Sequence, residues 1–286
     1  MRNFQLLEPA SAHEASQMLA DAGEESRLFA GGVALMLAMR QRLITPSHVV
    51  YIGGVLGLDG IEFDEHEGLR IGALTRHQQI ADSPVIQSRY PMLAEMAAHV
   101  ANPQVRNQGT VAGNLCYADP ASDPPGCLMA LGAQLGTVGP QGERSIALDE
   151  FFVDYYTTAL EPAEVVTEIR VPPMPADAKG AYTRFLRTAA EHRPLVNVAV
   201  VVRREGKICR EARIAVGASV PIPMRTSRAE KFLSDKMVTP EALDEAAAIV
   251  AKDVSPVSDF RGSSDYRREM VRVVARRTLG EAFDLC

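Results

Sequence analysis

Two glycine-containing runs hold the residues whose types and spacing could do chemistry. The first reads Leu-Phe-Ala-Gly-Gly-Val-Ala-Leu from Leu28 to Leu35, and the second reads Arg-Asn-Gln-Gly-Thr-Val-Ala-Gly-Asn from Arg106 to Asn114. Asp123 follows nine residues after Asn114. Glycine lets backbone N–H groups approach a ligand closely, and a turn of such groups attracts anions. The two runs together therefore predict a ligand with a pyrophosphate and a long polar tail.

Neither run matches a common nucleotide-binding motif. The chain contains no G-x-x-x-x-G-K-[ST] and no G-x-G-x-x-G, so the P-loop and the Rossmann fingerprint are both excluded. A nucleotide bound by this chain would therefore be held by a different fold.

Composition excludes several other classes of protein. A length of 286 residues predicts two domains or one large one, and a net charge of −6 argues against a nucleic-acid surface. No apolar stretch reaches the length of a membrane span. The stretch at the start of the sequence is too short and too polar for a signal peptide, so we expect a cytoplasmic protein.

Metal binding by this chain is not expected. The spacing of Cys116, Cys127, Cys209 and Cys286 fits no zinc or iron–sulfur pattern. We therefore expect four reduced, unpaired thiols. The six histidines form no H-E-x-x-H or H-x-H pair, and we interpret His77 and His99 as surface or packing residues.

The elements that must position the two runs begin with a compact unit. Its order is predicted as strand, helix, strand, loop and helix. A capping-box pattern at Ser11–Glu14 starts the first helix and Gly23 ends it. Residues 27–30 form a strand that enters the first glycine run, and residues 35–42 form a helix.

The middle of the chain alternates short strands and helices. Pro103 is predicted to break a helix, and Pro120, Pro124 and Pro125 are predicted to make the segment after Asn114 an irregular loop. The strands predicted here are 48–52, 69–73, 134–137, 144–147 and 165–171, and the helices are 76–82, 91–100 and 127–131.

A proline-rich segment at 172–180 is the best candidate for a linker. After it, strands are predicted at 182–187, 196–203 and 211–218, followed by helices at 229–233, 240–252 and 265–279. Strands followed by helices indicate an α+β second domain. In the last helix we expect the apolar residues to face the core and the arginines to face water.

Three sequence motifs, together with Asp123, resemble those of a known family. The pieces Ala30–Gly32, Ile71–Thr75 and Pro103–Asn114, with Asp123 in register, resemble the FAD-binding subunit of molybdenum hydroxylases. That family includes the medium subunit of aerobic carbon monoxide dehydrogenase and the flavin domain of xanthine dehydrogenase. The resemblance spans the whole chain.

The resemblance implies an α+β fold in two parts. Residues 1–176 would form a FAD-binding domain of the vanillyl-alcohol-oxidase/PCMH type, with subdomains of about 1–53 and 54–176. Residues 177–286 would form a smaller C-terminal domain of antiparallel sheet plus helices.

The resemblance also implies which residues bind FAD. The first run would wrap the pyrophosphate, Thr110–Asn114 would form the second loop, and Val100 would pack against the cofactor. Asp123 would accept hydrogen bonds from ribityl hydroxyls. We expect Thr75 to cap the following helix as well. The full set is Leu28, Phe29, Ala30, Gly31, Gly32, Val33, Ala34, Leu35, Thr75, Val100, Gly109, Thr110, Val111, Ala112, Gly113, Asn114, Asp123, Val166 and Arg184.

Three departures from the family pattern bear on this site. Ala34 stands where relatives usually have Ser or Thr, which removes one hydroxyl hydrogen bond of ~1 kcal/mol. Ala112 stands where a second glycine is usual, which costs about 1 kcal/mol if that position needs a positive φ and nothing otherwise. The sequence Glu-His-Arg-Pro at 191–194 leaves the surroundings of the reactive edge of the flavin open.

The function implied is that of an electron-transfer subunit. In relatives, substrate is oxidised at a molybdenum–pterin centre in a large subunit, and electrons pass through two [2Fe-2S] clusters in a small subunit. They reach FAD and leave to an external acceptor, in what we expect to be a dimer of heterotrimers. This chain would hold only non-covalent FAD, and we assign it no catalytic acid or base and no metal.

Two alternatives remain open. The chain could be a non-catalytic assembly partner of the same fold, or a free-standing flavin oxidoreductase. The substrate of the whole enzyme and its electron acceptor are not determined by this sequence.

Overall fold

The first glycine run lies at the edge of a small parallel sheet. A computed structural model describes residues 1–285. Its first elements are β1 (Gln5–Leu7), α1 (Ala12–Ala22), β2 (Ser26–Phe29), α2 (Val33–Arg40) and β3 (His48–Tyr51). The three strands pair in the order β1-β3-β2. Ser11 Oγ accepts from the Glu14 amide at 3.1 Å, and Gly23 ends α1. The predicted order of elements is confirmed.

A five-stranded antiparallel sheet and a group of short helices follow. The order of the strands is β4-β5-β10-β6-β7. The elements are β4 (Ile61–Asp64), β5 (Gly68–Gly72), α3 (His77–Asp82), α4 (Pro84–Arg89), α5 (Pro91–Ala98), α6 (Pro103–Gln108), α7 (Val111–Tyr117), α8 (Pro124–Ala130), β6 (Gln134–Gly139), β7 (Gly142–Ala147), α9 (Leu148–Phe151), β8 (Phe152–Asp154), β9 (Thr157–Thr158) and β10 (Val165–Val171).

Pro103 and Pro124 start helices instead of ending them. Pro103 is the first residue of α6, which Asn102 caps by accepting from the Val105 amide at 3.0 Å, and Pro124 starts α8. The prediction of an irregular loop after Asn114 is therefore confirmed only for residues 118–123 and wrong on either side of them, because α7 continues to Tyr117 and α8 begins at Pro124. The physical reason is that a proline at the first helical position sacrifices no intrahelical hydrogen bond. The sequence analysis also missed β4 and α4.

The last third of the chain forms a second antiparallel sheet covered by helices. Its strands run in the order β11-β12-β13-β14, and a short β15 pairs with β13. The elements are β11 (Ala178–Phe185), β12 (Val196–Glu205), β13 (Ile208–Gly217), β14 (Met224–Arg225), α10 (Ser227–Leu233), β15 (Lys236–Met237), α11 (Pro240–Asp253) and α12 (Ser264–Phe283). The α+β class and the predicted change from strands to helices are confirmed.

One arginine of α12 contradicts the expectation that they all face water. Arg267 is only 2% exposed, and its guanidinium contacts Asp259 and the carbonyl oxygen of Ala218. It lies one turn before the buried Val271, so it shares the core-facing side of the helix. The core positions predicted at Val271, Val274 and Leu279 are confirmed.

The main hydrophobic core continues from the helices into the second antiparallel sheet. Every residue of α8 is buried. The core that contains α8 also includes Tyr182, Ala199 and Ala215 from β11, β12 and β13. This packing brings Asp123, at the start of α8, against the C-terminal sheet.

Candidate functional site

The first glycine run turns from β2 into α2. Gly32 precedes the helix with φ of 73°, a left-handed conformation that strains any residue with a Cβ. A Cβ placed on Gly32 would also overlap the ring of Phe29, which packs against Tyr51 with 5.4 Å between ring centroids. Both the backbone and the neighbouring ring therefore require glycine here.

Helix α2 begins without a side-chain cap. Its first internal hydrogen bond runs from the Met36 amide to the Gly32 carbonyl at 2.9 Å. The amides of the first turn, Val33 to Leu35, therefore have no acceptor within the helix. All residues of the first run are half-buried. Such a turn is suited to an anionic group.

The two glycine runs touch each other. A Cβ on Gly31 would overlap the carbonyl oxygen of Gln108 and lie 3.1 Å from the Cα of Gly109. A Cβ on Gly109 would in turn lie 3.6 Å from the Val33 side chain. The structure therefore places the two predicted halves of a phosphate site side by side.

The second run is the start of a helix, not an open loop. Thr110 caps α7 by accepting from the Gly113 amide at 3.1 Å, and a Cβ on Gly113 would lie 2.6 Å from that hydroxyl. Ala112 lies inside α7 with helical backbone. Alanine is therefore compatible with this position, and the penalty considered for a positive φ does not arise.

The segment 75–77 holds the second run in place through backbone hydrogen bonds. The Val111 amide donates to the Thr75 carbonyl at 3.0 Å, and the His77 amide donates to the Gly109 carbonyl at 3.2 Å. The Thr75 hydroxyl donates to the Gly60 carbonyl at 2.9 Å, and the cap position of α3 belongs to Arg76. The expectation that Thr75 caps α3 is therefore wrong, because its hydroxyl is engaged elsewhere.

His77 is a buried neighbour of the second run. Its ring is 2% exposed and lies 3.5 Å from where a Cβ on Gly109 would be. Burial, with the nearby Arg106 charge, lowers the pKa of His77 to about 4, so the ring is neutral at pH 7. Its Nδ1 has no hydrogen-bond partner within residues 1–285.

A second group of predicted residues lies where α8 meets β11. Asp123 is 4% exposed, accepts from the Tyr182 hydroxyl, and forms an ion pair with Arg184 at 3.1 Å. Arg184 also donates to the carbonyls of His99 and His192. The His99 contact places Arg184 beside Val100, the next residue of the chain, which is itself buried.

The charges of this group are perturbed by burial. Burial raises the pKa of Asp123 to about 6, although Arg184 and the Tyr182 hydroxyl act in the opposite direction. The pKa of Tyr182 is raised well above its usual value, mainly by burial and then by the Asp123 charge. At pH 7 the group therefore contains a carboxylate, a neutral phenol and one guanidinium.

A short chain of hydrogen bonds joins the two groups. Asn114 in α7 accepts from the Ser122 hydroxyl at 2.5 Å, and Asn197 in β12 donates to the Ser122 carbonyl at 2.9 Å. Ser122 directly precedes Asp123. Val166, the remaining predicted contact, is buried in β10 opposite Thr137 and packs in the main core.

The sequence analysis missed Tyr182 and left open whether His77 is a surface or a packing residue; the structure shows that it is buried. Tyr182 and Arg184 are two residues apart on one strand, so their side chains share a face. That spacing could have identified Tyr182 as a partner once Arg184 was chosen. The burial of His77 had no comparable sequence signal, because it depends on contact with the second run.

The site fits an extended anionic cofactor. The two runs meet so closely at Gly31 and Gly109 that a Cβ on Gly31 would overlap the second run, and the first turn of α2 beside this contact offers uncapped amides. We call this arrangement the backbone cradle. The buried Nε of Arg184 has no partner in the described part of the chain. Pyrophosphate and hydroxyl groups are the ligands that such donors bind.

Three of the four predicted free thiols lie within the described residues, and Cys286 lies outside them. Cys116, Cys127 and Cys209 are unpaired, and burial raises the pKa of Cys209 to about 11 and that of Cys127 still further. Within residues 1–285 no group of three His, Cys, Asp or Glu residues is arranged to hold a metal ion. No helix in the same range is both long and apolar enough to cross a membrane.

Family models match both parts of the chain. Residues 2–174 match the FAD binding domain in molybdopterin dehydrogenase, and residues 181–282 match the CO dehydrogenase flavoprotein C-terminal domain.

Relatives and solved structures cover nearly the full length. The chain is 34% identical to the carbon monoxide dehydrogenase medium chain of Hydrogenophaga pseudoflava, over 99% of this chain and 98% of that one. It is 35% identical to the nicotine 6-hydroxylase medium subunit of Paenarthrobacter nicotinovorans, over 96% and 95%. Carbon monoxide dehydrogenase from Hydrogenophaga pseudoflava superposes with a TM-score of 0.96 at 35% identity, covering 100% and 99%. Quinoline 2-oxidoreductase from Pseudomonas putida 86 gives 0.92 at 31% identity, covering 99% and 98%.

Proposed function

The chain belongs to the family of FAD-binding medium subunits of molybdenum hydroxylases, and we propose that it is the electron-transfer subunit of such an enzyme. It takes electrons from [2Fe-2S] clusters of a small subunit and passes them through FAD to an external acceptor. Substrate is oxidised at a molybdenum–pterin centre in a large subunit. The observation that carries the proposal is the contact between the two glycine runs, which forms a backbone cradle at the uncapped start of α2.

Most of the predicted residues would take a defined part in holding FAD. The first run, through the amides of Val33 to Leu35, would face the pyrophosphate, with the second run beside it, and Val100 and Val166 would supply apolar packing. Asp123 accepts from ribityl hydroxyls, and Arg184 supplies a positive charge beside it. When bound, FAD supplies the redox chemistry, while the protein binds, orients and electrostatically tunes it.

The ionisation of Asp123 suits its proposed role as a hydrogen-bond acceptor for the ribityl hydroxyls. A pKa of about 6 leaves the carboxyl mostly ionised at pH 7, so it is available as an acceptor. Tyr182 and Arg184 fix its position from the C-terminal sheet. The cofactor would therefore be held by elements from both ends of the chain.

We also propose a division of the chain near residue 176, with a FAD-binding domain at 1–176 and a C-terminal domain at 177–286. Within the first, subdomains would cover about 1–53 and 54–176. The family models end and begin at residues 174 and 181, which supports this division. The parallel sheet ends at Tyr51, which supports the inner boundary.

Purification of the complex from its native host tests the electron-transfer role. We expect this chain, an iron–sulfur subunit and a molybdenum subunit in equal amounts, arranged as a dimer of heterotrimers. Isolation as a partner-free flavoprotein with its own activity would favour a free-standing oxidoreductase. Isolation with partners but without flavin would favour a non-catalytic assembly role.

A further inference from the structure

Asn197 is a polar residue in the buried centre of the C-terminal sheet. It lies in β12, is fully buried, and pairs with Arg184 of β11 on one side and with Gly217 of β13 on the other. Side chains of directly paired residues lie on the same face of a sheet. Asn197 and Arg184 therefore share the face that packs against α8.

Two glycines make room for the Asn197 amide. A Cβ on Gly217 would overlap Asn197 Oδ1, and a Cβ on Gly126 of α8 would lie 3.3 Å from the same atom. The nearby sheet positions Ala199 and Ala215 are also small and buried. The helix can therefore lie close to the sheet with Asn197 enclosed between them.

Only one end of this amide has a partner. Asn197 Nδ2 donates to the carbonyl oxygen of Ser122 at 2.9 Å, whereas Oδ1 accepts no hydrogen bond from any group of residues 1–285. A buried acceptor without a partner destabilises a folded protein. Departures of this kind from the rules for a stable core are expected at functional sites, so we looked for what the Nδ2 donor does.

The Nδ2 donor acts on a segment that serves both halves of the proposed FAD site. Ser122 directly precedes Asp123, and its hydroxyl donates to Asn114, the last residue of the second run. The neighbouring strand β11 holds the Asp123 carboxylate through Tyr182 and Arg184. The C-terminal sheet therefore contacts this segment at its backbone and at its carboxylate.

We propose that Asn197 is a positioning residue for FAD binding, because its Nδ2 donor fixes Ser122 so that Asn114 and Asp123 face the cofactor together. Asn197 acts through Ser122 and needs no contact with FAD itself. The C-terminal domain then helps the FAD-binding domain to retain its cofactor. The inference rests on the proposed FAD site and names a residue outside the set predicted to bind FAD.

The charge of Asp123 provides a second readout of this role. Burial raises the pKa of Asp123 to about 6, and four groups that face it oppose this rise, namely Arg184, Tyr182, His99 and Asn197. The Cys127 thiol of α8 also faces Asp123, and burial keeps that thiol protonated. FAD binding uses the ionised carboxyl as an acceptor, so FAD affinity should fall as pH decreases through about 6. Without Asn197, this fall should occur at a higher pH.

FAD titration of the full-length, FAD-free chain tests the inference. Asn197→Leu keeps the shape of the side chain but removes the donor, so it should weaken FAD binding about tenfold at pH 7. Asn197→Ala, which introduces no larger group, should behave in the same way. In both variants the loss of affinity on acidification should move to higher pH.

Thr278→Ala is the matched control. It removes another buried side-chain hydrogen bond of the C-terminal domain, from Thr278 Oγ1 to the Val274 carbonyl at 2.8 Å. Thr278 belongs to α12, which packs on the opposite face of the sheet against Val196 and Val198. FAD affinity and its pH profile should therefore match those of the wild type.

A double-mutant cycle tests whether Asn197 acts through Ser122. Ser122→Ala removes the hydroxyl that donates to Asn114, and it should add little to the effect of Asn197→Leu, because the two changes interrupt one chain of contacts. Full additivity, or FAD affinities of both Asn197 variants equal to that of Thr278→Ala at every pH, would overturn the inference. A wild-type chain that takes up no FAD would overturn the proposed FAD site, and the inference with it.

Discussion

Substitution of Gly32 by alanine tests the cradle most sharply. Gly32 has φ of 73°, and a left-handed conformation costs an L-residue roughly 1–2 kcal/mol. The new Cβ would also overlap the Phe29 ring, which would have to move. In the FAD-free chain the loop can relax away from this strain, whereas FAD binding requires the native turn. We therefore expect the strain to weaken FAD binding at least tenfold.

A matched control separates the cradle from general destabilisation. Gly206 lies in the β12–β13 turn with φ of 59°, and a Cβ there would meet no atom of the described chain within 4 Å. Gly206→Ala should lower the free energy of unfolding by ~1 kcal/mol, the cost of a left-handed conformation for alanine, and leave FAD affinity within twofold of wild type. Affinities come from titrating FAD-free protein and following flavin fluorescence. If Gly32→Ala bound FAD as tightly as Gly206→Ala, the argument for the cradle would be refuted.

Three further predictions concern neighbouring residues. Ala34→Ser should strengthen FAD binding about fivefold, because a hydroxyl bond to phosphate adds ~1 kcal/mol; unchanged titration curves would contradict this. Gly113→Ala should displace the Thr110 cap, which lowers the free energy of unfolding by ~1 kcal/mol and weakens FAD binding. Ala112→Gly should not improve FAD binding. Denaturation and FAD titration of both variants, run in parallel, measure these effects. The raised pKa of Asp123 makes FAD-free stability fall as pH rises from about 4 to 6, and the lowered pKa of His77 makes it rise from about 4 to 6.5. Asp123→Asn should therefore steepen the rise of stability with pH in urea denaturation, and His77→Gln should flatten it; the same slope in both variants would contradict these assignments.

Local patterns predicted the elements well where the signal lies within a few residues. Ser11, Gly23 and the apolar periodicity of α11 and α12 each act through neighbours in the sequence, and the structure agrees with them. The prolines misled because the same residue type starts a helix or ends one. Asn102 caps the helix that Pro103 starts, whereas Pro124 starts α8 without a side-chain cap, so no single local signal distinguishes the two outcomes.

The surroundings of the site residues could not be predicted in the same way. Asp123 takes its pKa from burial and from Tyr182 and Arg184, which lie about sixty residues away in the chain. His77 is buried beside Gly109 of the second run, and the buried Arg267 donates to Asp259 and to the carbonyl of Ala218. These properties belong to long-range packing, and no short motif encodes them.

The flavin content of the chain purified alone tests the central claim most directly. The visible absorption spectrum, followed by heat release and mass identification of any flavin, gives both the cofactor and its stoichiometry. The account predicts flavin bands and about one FAD released per chain. A colourless protein that also fails to take up added FAD would contradict the proposal that the two glycine runs of this chain form the FAD site.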